Sequence, residues 1–109
     1  MNTMTLKEMC AKTNVSRRAI QGFEKAGLVQ AKGRNERGYL LYDDSAKNKI
    51  IEIRWFQKMG FSIKEIQVFY QSNKEEQKMM IETRIENLQQ QLIDTHHLIE
   101  FAKKKIEEL

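Results

Sequence analysis

Arg17, Arg18 and Gln21 lie within five residues of one another, next to the apolar residues Ile20 and Phe23. If Ile20 and Phe23 point inward on a helix, the two arginines and the glutamine share its outward side. A guanidinium matches the O6/N7 edge of guanine with two hydrogen bonds, and a carboxamide matches the N6/N7 edge of adenine. A second basic cluster follows in the stretch from Gln30 to Gly38, where Lys32, Arg34 and Arg37 stand ahead of Tyr39 and Tyr42. Long cations and tyrosine hydroxyls of this kind suit phosphate contacts, which fix register without reading sequence.

Other chemistries find little support. The single cysteine, Cys10, excludes an internal disulfide framework and a cysteine-rich zinc site within one chain. It falls on the apolar face of its helix, which makes it a core residue. His96 and His97 are adjacent, so their side chains diverge by about 100° on a helix. His96 and Glu100 share a face, but two ligands make a poor metal site. No Ser/His/Asp or Cys/His arrangement, phosphate-cradling glycine loop or metal-ligand cluster is visible. The expectation is a non-enzyme with no cofactor and no metal.

The elements needed to carry the basic clusters can be read in order. Thr5-Leu6-Lys7-Glu8 has capping-box form and opens a helix with Leu6, Met9 and Cys10 on one face. Thr13-Asn14 ends it by turn chemistry, and Ser16 caps a second helix running to about Lys25, stopped by Gly27. Two helices with a short join, the second opening on Ser16, Arg17 and Arg18, outline a helix-turn-helix. Leu28-Val29 and Tyr39-Leu40-Leu41-Tyr42 are β-prone, and together with the basic loop between them they predict a hairpin, or wing. Asp43 or Asp44 caps a third helix to about Met59, with Ile50, Ile51, Ile53 and Phe56 on its apolar face. Ser62-Ile63-Lys64-Glu65 and Ser72-Asn73-Lys74-Glu75 read as two further capping boxes, the first opening a helix to about Gln71.

Beyond that point the pattern changes. Ile81, Ile85, Leu88, Leu92, Thr95, Ile99, Ala102, Ile106 and Leu109 recur in alternating steps of four and three, a heptad seam with Thr95 as its one polar position. A helix over residues 74–109 presents a narrow apolar stripe that needs a partner, most simply the same helix of a second copy. Charge divides at the same place. Residues 1–71 hold 13 Lys and Arg against 7 Asp and Glu, whereas residues 72–109 hold 6 against 8. The basic front suits a polyanion and the back suits a protein chain. The expected division is therefore a winged helix-turn-helix DNA-binding domain over 1–71 and a coiled-coil dimerisation helix over 72–109. The 109 residues contain no apolar run long enough to span a membrane, and MNTMTLKEMC has no signal-peptide pattern. The expected location is the cytoplasm.

Taken together, these residues resemble the MerR family of bacterial transcriptional regulators. The match runs from Met4-Thr5-Leu6-Lys7-Glu8 through Asn14-Val15-Ser16-Arg17-Arg18-Ala19-Ile20 and Phe23-Glu24-Lys25-Ala26-Gly27-Leu28-Val29. It continues with Arg34, Gly38-Tyr39 and Tyr42, and closes with Met59-Gly60-Phe61-Ser62-Ile63-Lys64-Glu65-Ile66. The resemblance implies a mainly α fold with a winged helix-turn-helix head, a small β-hairpin wing, a second helix pair and a long dimerisation helix in an antiparallel coiled coil. It implies a homodimer on a pseudo-palindromic site in double-stranded DNA. The family bends and untwists an overlong promoter spacer so that RNA polymerase engages both of its elements. The DNA-contacting set it implies is Ser16, Arg17, Arg18, Gln21, Arg34, Arg37, Tyr39 and Tyr42, with packing of the wing on the head as the competing role of the two tyrosines.

Three positions depart from the family pattern. The usual Arg-Tyr-Tyr-Glu or Arg-Phe-Tyr-Glu is here Gln21-Gly22-Phe23-Glu24, and the usual Gly-Tyr-Arg of the wing is Gly38-Tyr39-Leu40. Two expected phosphate partners are thereby missing, which predicts weaker binding and a flatter salt dependence unless other cations compensate. Gly22 costs about 1 kcal/mol relative to Ala within a helix and invites either close backbone approach or simple tolerance. No cysteine pair marks the end of the long helix, as in metal-sensing relatives, and the expectation is a small member without a C-terminal effector domain, its signal unknown. Two other classes compete: an excisionase-like architectural DNA-binding factor, and a dimeric adaptor whose head binds protein.

Overall fold

The structure, a computed structural model, describes residues 2–109. By contacts the chain separates into two units, residues up to Tyr70 and Gln71–Leu109. The first unit is the head. It begins with strand β1 (Met4–Thr5), helix α1 (Leu6–Thr13) and helix α2 (Arg17–Lys25). Strands β2 (Gly33–Arg34) and β3 (Leu40–Tyr42) follow, then helix α3 (Asp44–Lys58) and helix α4, which spans Ile63–Gln71. The fold is the expected mainly helical winged helix-turn-helix.

Local sequence sets the helix boundaries. Thr5 and Glu8 cap α1 reciprocally: the Glu8 N–H donates to Thr5 Oγ1 at 3.3 Å, and the Thr5 N–H donates to Glu8 Oε1 at 3.0 Å. Asn14, in the left-handed region at φ 56°, turns the chain into Ser16, whose hydroxyl accepts from the Ala19 N–H and opens α2. Gly27 and Gly60 end α2 and α3 in the same way. Each has positive φ, and the N–H of the following residue (Leu28, Phe61) donates back to Phe23 and Phe56, respectively. Asp43 caps α3 by accepting from the Ala46 N–H at 2.9 Å. Ser62 and Glu65 form the expected capping box of α4.

The sheet differs from expectation in two ways. Leu28-Val29 is not a strand: the Leu28 N–H is committed to closing α2, and Val29 is buried in the core. The partner of β3 is instead Gly33–Arg34, from within the basic loop, in the register Gly33↔Leu41 and Arg34↔Leu40. The other edge of β3 takes β1, with Met4↔Tyr42 and Thr5↔Leu41, giving an antiparallel sheet in the order β1-β3-β2. A two-residue strand leaves no period for sequence reasoning to find, and Thr5 serves both as the end of β1 and as the cap of α1.

The head closes around Met9, Ile20, Phe23, Tyr42, Ile50, Ile53 and Ile66, all fully buried. Burying a side chain of this size is worth about 1.5–3 kcal/mol. Phe56 extends it, with the Phe61 and Phe69 rings 5.4 and 4.8 Å away. The Gln67 side chain donates to the Ala26 carbonyl at 2.7 Å and so ties α4 to the end of α2.

The second unit is helix α5 (Lys74–Glu108), 35 residues and roughly 52 Å long at about 1.5 Å per residue. Its cap is Asn73 with Glu76, not Ser72 with Glu75 as the sequence suggested. The Glu76 N–H donates to Asn73 Oδ1 at 2.9 Å, and Glu76 Oε1 accepts from the Asn73 N–H at 3.1 Å. None of its residues is buried, and along the heptad seam Leu92 is 73% exposed and Ile106 71%.

Candidate nucleic-acid interface

The N-terminus of α2 places Arg17 and Arg18 on the surface, with Gln21 one turn later; all three are exposed. Ile20 and Phe23 hold the other side of the helix in the core, as the inward assignment of these two residues requires. Ser16 is exposed as well, but its hydroxyl is occupied by the cap. A Cβ added at Gly22 meets nothing within 4 Å, so no neighbouring side chain in the head calls for glycine there.

The wing tip is organised by a residue the sequence reading passed over. Asn35 Oδ1 accepts from the N–H groups of Arg37 at 2.9 Å and Tyr39 at 3.0 Å. The Asn35 carbonyl accepts from Gly38, which turns the chain at φ 82°. Arg34 Nη1 donates to the Gly38 carbonyl at 2.6 Å and braces the hairpin from the side. Arg34, Arg37 and Tyr39 all remain exposed, Tyr39 at 57%. An asparagine beside a Gly-terminated turn was the available signal.

Arg17, Arg34 and Tyr39 come together. With Thr5, Leu6, Lys7, Gly38 and Leu40 they line one cleft of about 570 Å³ between α1, α2 and the wing. Three of its eight lining residues are cationic and none is acidic. Arg18, Gln21 and Arg37 are not part of its lining.

Tyr42 is a correction. It is fully buried, and its hydroxyl donates to the Glu24 carboxylate. Burial pushes its pKa well up, with the hydrogen bond to Glu24 and the negative charge there adding to the effect. A β3 residue pinned under α2 packs the wing on the head and is not available to a ligand at the surface. Glu24 is the α2 half of that tie.

Three cations of α3 are engaged locally. Lys49 Nζ lies 3.5 Å from the centre of the Tyr70 ring, Lys58 lies over Trp55, and Arg54 donates to Gln57 at 2.8 Å. Cys10 is half-buried. Among the described residues no group of three His, Cys, Asp or Glu is placed to hold a metal ion, and no helix is long and apolar enough to cross a membrane.

The family model described as MerR HTH family regulatory protein matches residues 4–73, more than half of the chain. The chain belongs to the MerR family. This is a family of transcriptional regulators and not of enzymes. Relatives of known sequence include the HTH-type transcriptional regulator CueR of Salmonella typhi, 31% identical over 62 residues, which are 57% of this chain and 45% of CueR. The mercuric resistance operon regulatory protein of Bacillus cereus is 30% identical over 59 residues, 54% of this chain and 45% of that protein. The nodulation protein NolA of Bradyrhizobium diazoefficiens is 34% identical over 59 residues, 54% of this chain and 25% of NolA. The chain thus matches less than half the length of these relatives.

Among solved structures, HiNmlR, a MerR family regulator lacking the sensor domain and bound to promoter DNA, superposes with a TM-score of 0.79 at 21% identity, covering 96% of this chain and 88% of HiNmlR. The N-terminal part of the multidrug transporter activator of Bacillus subtilis, MtaN, gives 0.70 at 19% identity, covering 94% and 97%. At these identities the likeness is one of fold.

Proposed function

We propose that this MerR-family chain is a cytoplasmic, sequence-specific double-stranded DNA-binding transcriptional regulator. In this reading residues 1–71 bind DNA and residues 72–109 dimerise. The observation that carries it is the meeting of α2 and the wing: Arg17, Arg34 and Tyr39 share one cleft free of acid, next to the exposed Arg18 and Gln21. Recognition-helix residues near the N-terminus reach base edges, while a wing supplies phosphate contacts. Arg18 and Gln21 are the base-reading pair, and Arg17, Arg34, Arg37 and Tyr39 hold the backbone. The structural likeness to a regulator bound to promoter DNA supports the same placement.

A homodimer through α5 accounts for the unburied seam of Ile81, Ile85, Leu88, Leu92, Thr95, Ile99, Ala102, Ile106 and the capping Leu109. Antiparallel pairing of two such helices sets two heads at a fixed spacing and calls for a pseudo-palindromic site. Regulation then follows by distortion of the promoter spacer, which presents its two elements to RNA polymerase.

A footprint on the DNA upstream of the coding region tests this. A protected symmetric site with hypersensitive central bases in a long spacer is the expected result. A symmetric site elsewhere in the promoter replaces distortion by occlusion. No duplex binding at low salt by a verified dimer removes the DNA reading in favour of a protein-binding adaptor.

A further inference from the structure

The recognition helix and wing carry Gln21 and Leu40 where the family resemblance implies phosphate-contacting arginines. The cleft between α1 and the wing contains a cation that is not among the DNA-contacting residues the resemblance implies. Lys7 lies in the first turn of α1, exposed, across the cleft from the wing residues Arg34, Gly38, Tyr39 and Leu40. Its near neighbour Glu8 has its carboxylate occupied by the Thr5 N–H and hydroxyl, so the closest acid in sequence is turned into the cap. A lysine in the first turn of a helix opposes the macrodipole. A cation held there against the local field, beside two arginines and with no acid in the cleft, provides a binding place for an anion.

From this geometry we infer that Lys7, Arg17 and Arg34 together hold the DNA backbone at this cleft, with Lys7 on a phosphodiester of its own, and that Lys7 thereby returns one of the contacts absent at Gln21 and Leu40. The inference rests on the DNA-binding reading above and adds to it a residue and a ligand group. Arg34 is well suited to the role. One of its nitrogens is fixed on the Gly38 carbonyl, which orients the guanidinium while leaving other donors for the anion. The walls of the cleft also include Leu6, Leu40 and the Tyr39 ring, which lower the local dielectric and strengthen the charge pairing.

The test is the salt dependence of duplex binding, measured by fluorescence anisotropy on full-length chains. Each phosphate contact contributes about 0.9 to the slope of log K against log salt. K7Q is expected to flatten the slope by about 0.9 per protomer, about 1.8 for a dimer on the duplex, so that affinity falls about 12-fold less over a fourfold rise in salt. K7R is expected to restore it. K12Q removes the same charge from the last turn of α1, outside the cleft, and is expected to leave the slope unchanged. Loss of Lys7 relieves an unfavourable dipole contact, so unfolding of the head does not explain weaker binding by K7Q. An unchanged slope in K7Q, while the wild type binds, overturns this inference alone. Equal flattening by K12Q reduces it to net charge and also overturns it. Saturable binding of inorganic phosphate without DNA, lost in K7Q, reassigns the cleft to a free anion. No duplex binding by the wild type at low salt overturns both this inference and the DNA reading.

Discussion

The head and the long helix bury apolar surface in opposite ways. Seven large side chains of the head are fully enclosed, including a tyrosine whose hydroxyl finds a carboxylate partner. The 35-residue α5 has no buried residue, although its apolar seam repeats more regularly than any pattern in the head. A head of this kind is complete as a fold and unfinished only at its charged surface. The helix satisfies its own backbone hydrogen bonds and leaves its side chains to be completed by something else. Helices in proteins draw most of their stability from tertiary packing of an amphipathic face. Regular spacing and burial are therefore separate properties, and α5 has only the first within one chain.

The largest effect expected from this contrast follows substitution of the seam. L92K with I99K places four lysines in the interface of the proposed homodimer. Each lost Leu or Ile contact is worth about 1.5–3 kcal/mol, so the dimer is expected to lose about 6 kcal/mol or more. Light scattering should then report monomers, and near-UV circular dichroism should report an intact head. A dimer that persists would mean that association uses another surface. An unfolded head would mean that the two units are not independent, which would erase the comparison itself.

Y42F acts on the other side of the contrast. It removes one hydroxyl from a fully buried side chain and leaves the Glu24 carboxylate without its donor. A hydrogen bond to a charged group is worth about 1.5–3 kcal/mol, and that is the expected loss in denaturant unfolding of the head. Association through α5 should be unchanged. If stability does not fall, the tie between β3 and α2 is dispensable, and the wing is held by the β1 and β2 ladders alone.

R18A should leave both folding and association intact and cost about 1–3 kcal/mol of specific DNA binding, the usual worth of a good base contact. Its loss should be smaller on unrelated duplex. A uniform loss on all sequences would move Arg18 from reading bases to holding phosphate.

Much of the head was legible because its signals are local. The capping pairs at Thr5/Glu8 and Ser62/Glu65, the glycine stops at Gly27 and Gly60, and the inward positions Ile20 and Phe23 all depend on spacing within a turn or two of helix. What escaped the sequence is what two distant segments do together. Met4–Thr5 becomes a strand only because Leu41 and Tyr42 lie alongside it. Tyr42 is indistinguishable from Tyr39 as a wing tyrosine until β3 is placed under α2. Lys7 belongs to the same class, since its significance comes from the wing opposite, 27 or more residues along the chain.

The smallest expected effect concerns the capping carboxylates of the head. Hydrogen bonds from the Thr5 backbone and side chain hold Glu8 below its usual pKa. Asp43 is lowered chiefly by the Ala46 N–H, with Lys32 adding an ion pair at 3.5 Å. A carboxylate depressed in the folded state contributes stability that is complete above its unfolded pKa, near 4. That contribution is lost as the pH falls through the folded value. Thermal stability from these two caps should therefore be flat from neutral pH to about pH 5 and decline below about pH 4. The double variant E8Q D43N should lie below the wild type at pH 7, and the gap between the two melting curves should narrow as the pH falls below about 4. General repulsion among the protonated head's cations acts on both proteins and does not produce that narrowing. A gap that stays constant across the range would assign the caps a role through neutral hydrogen bonding and not through charge. The self-contained packing of the head would then owe nothing to these two ionised side chains.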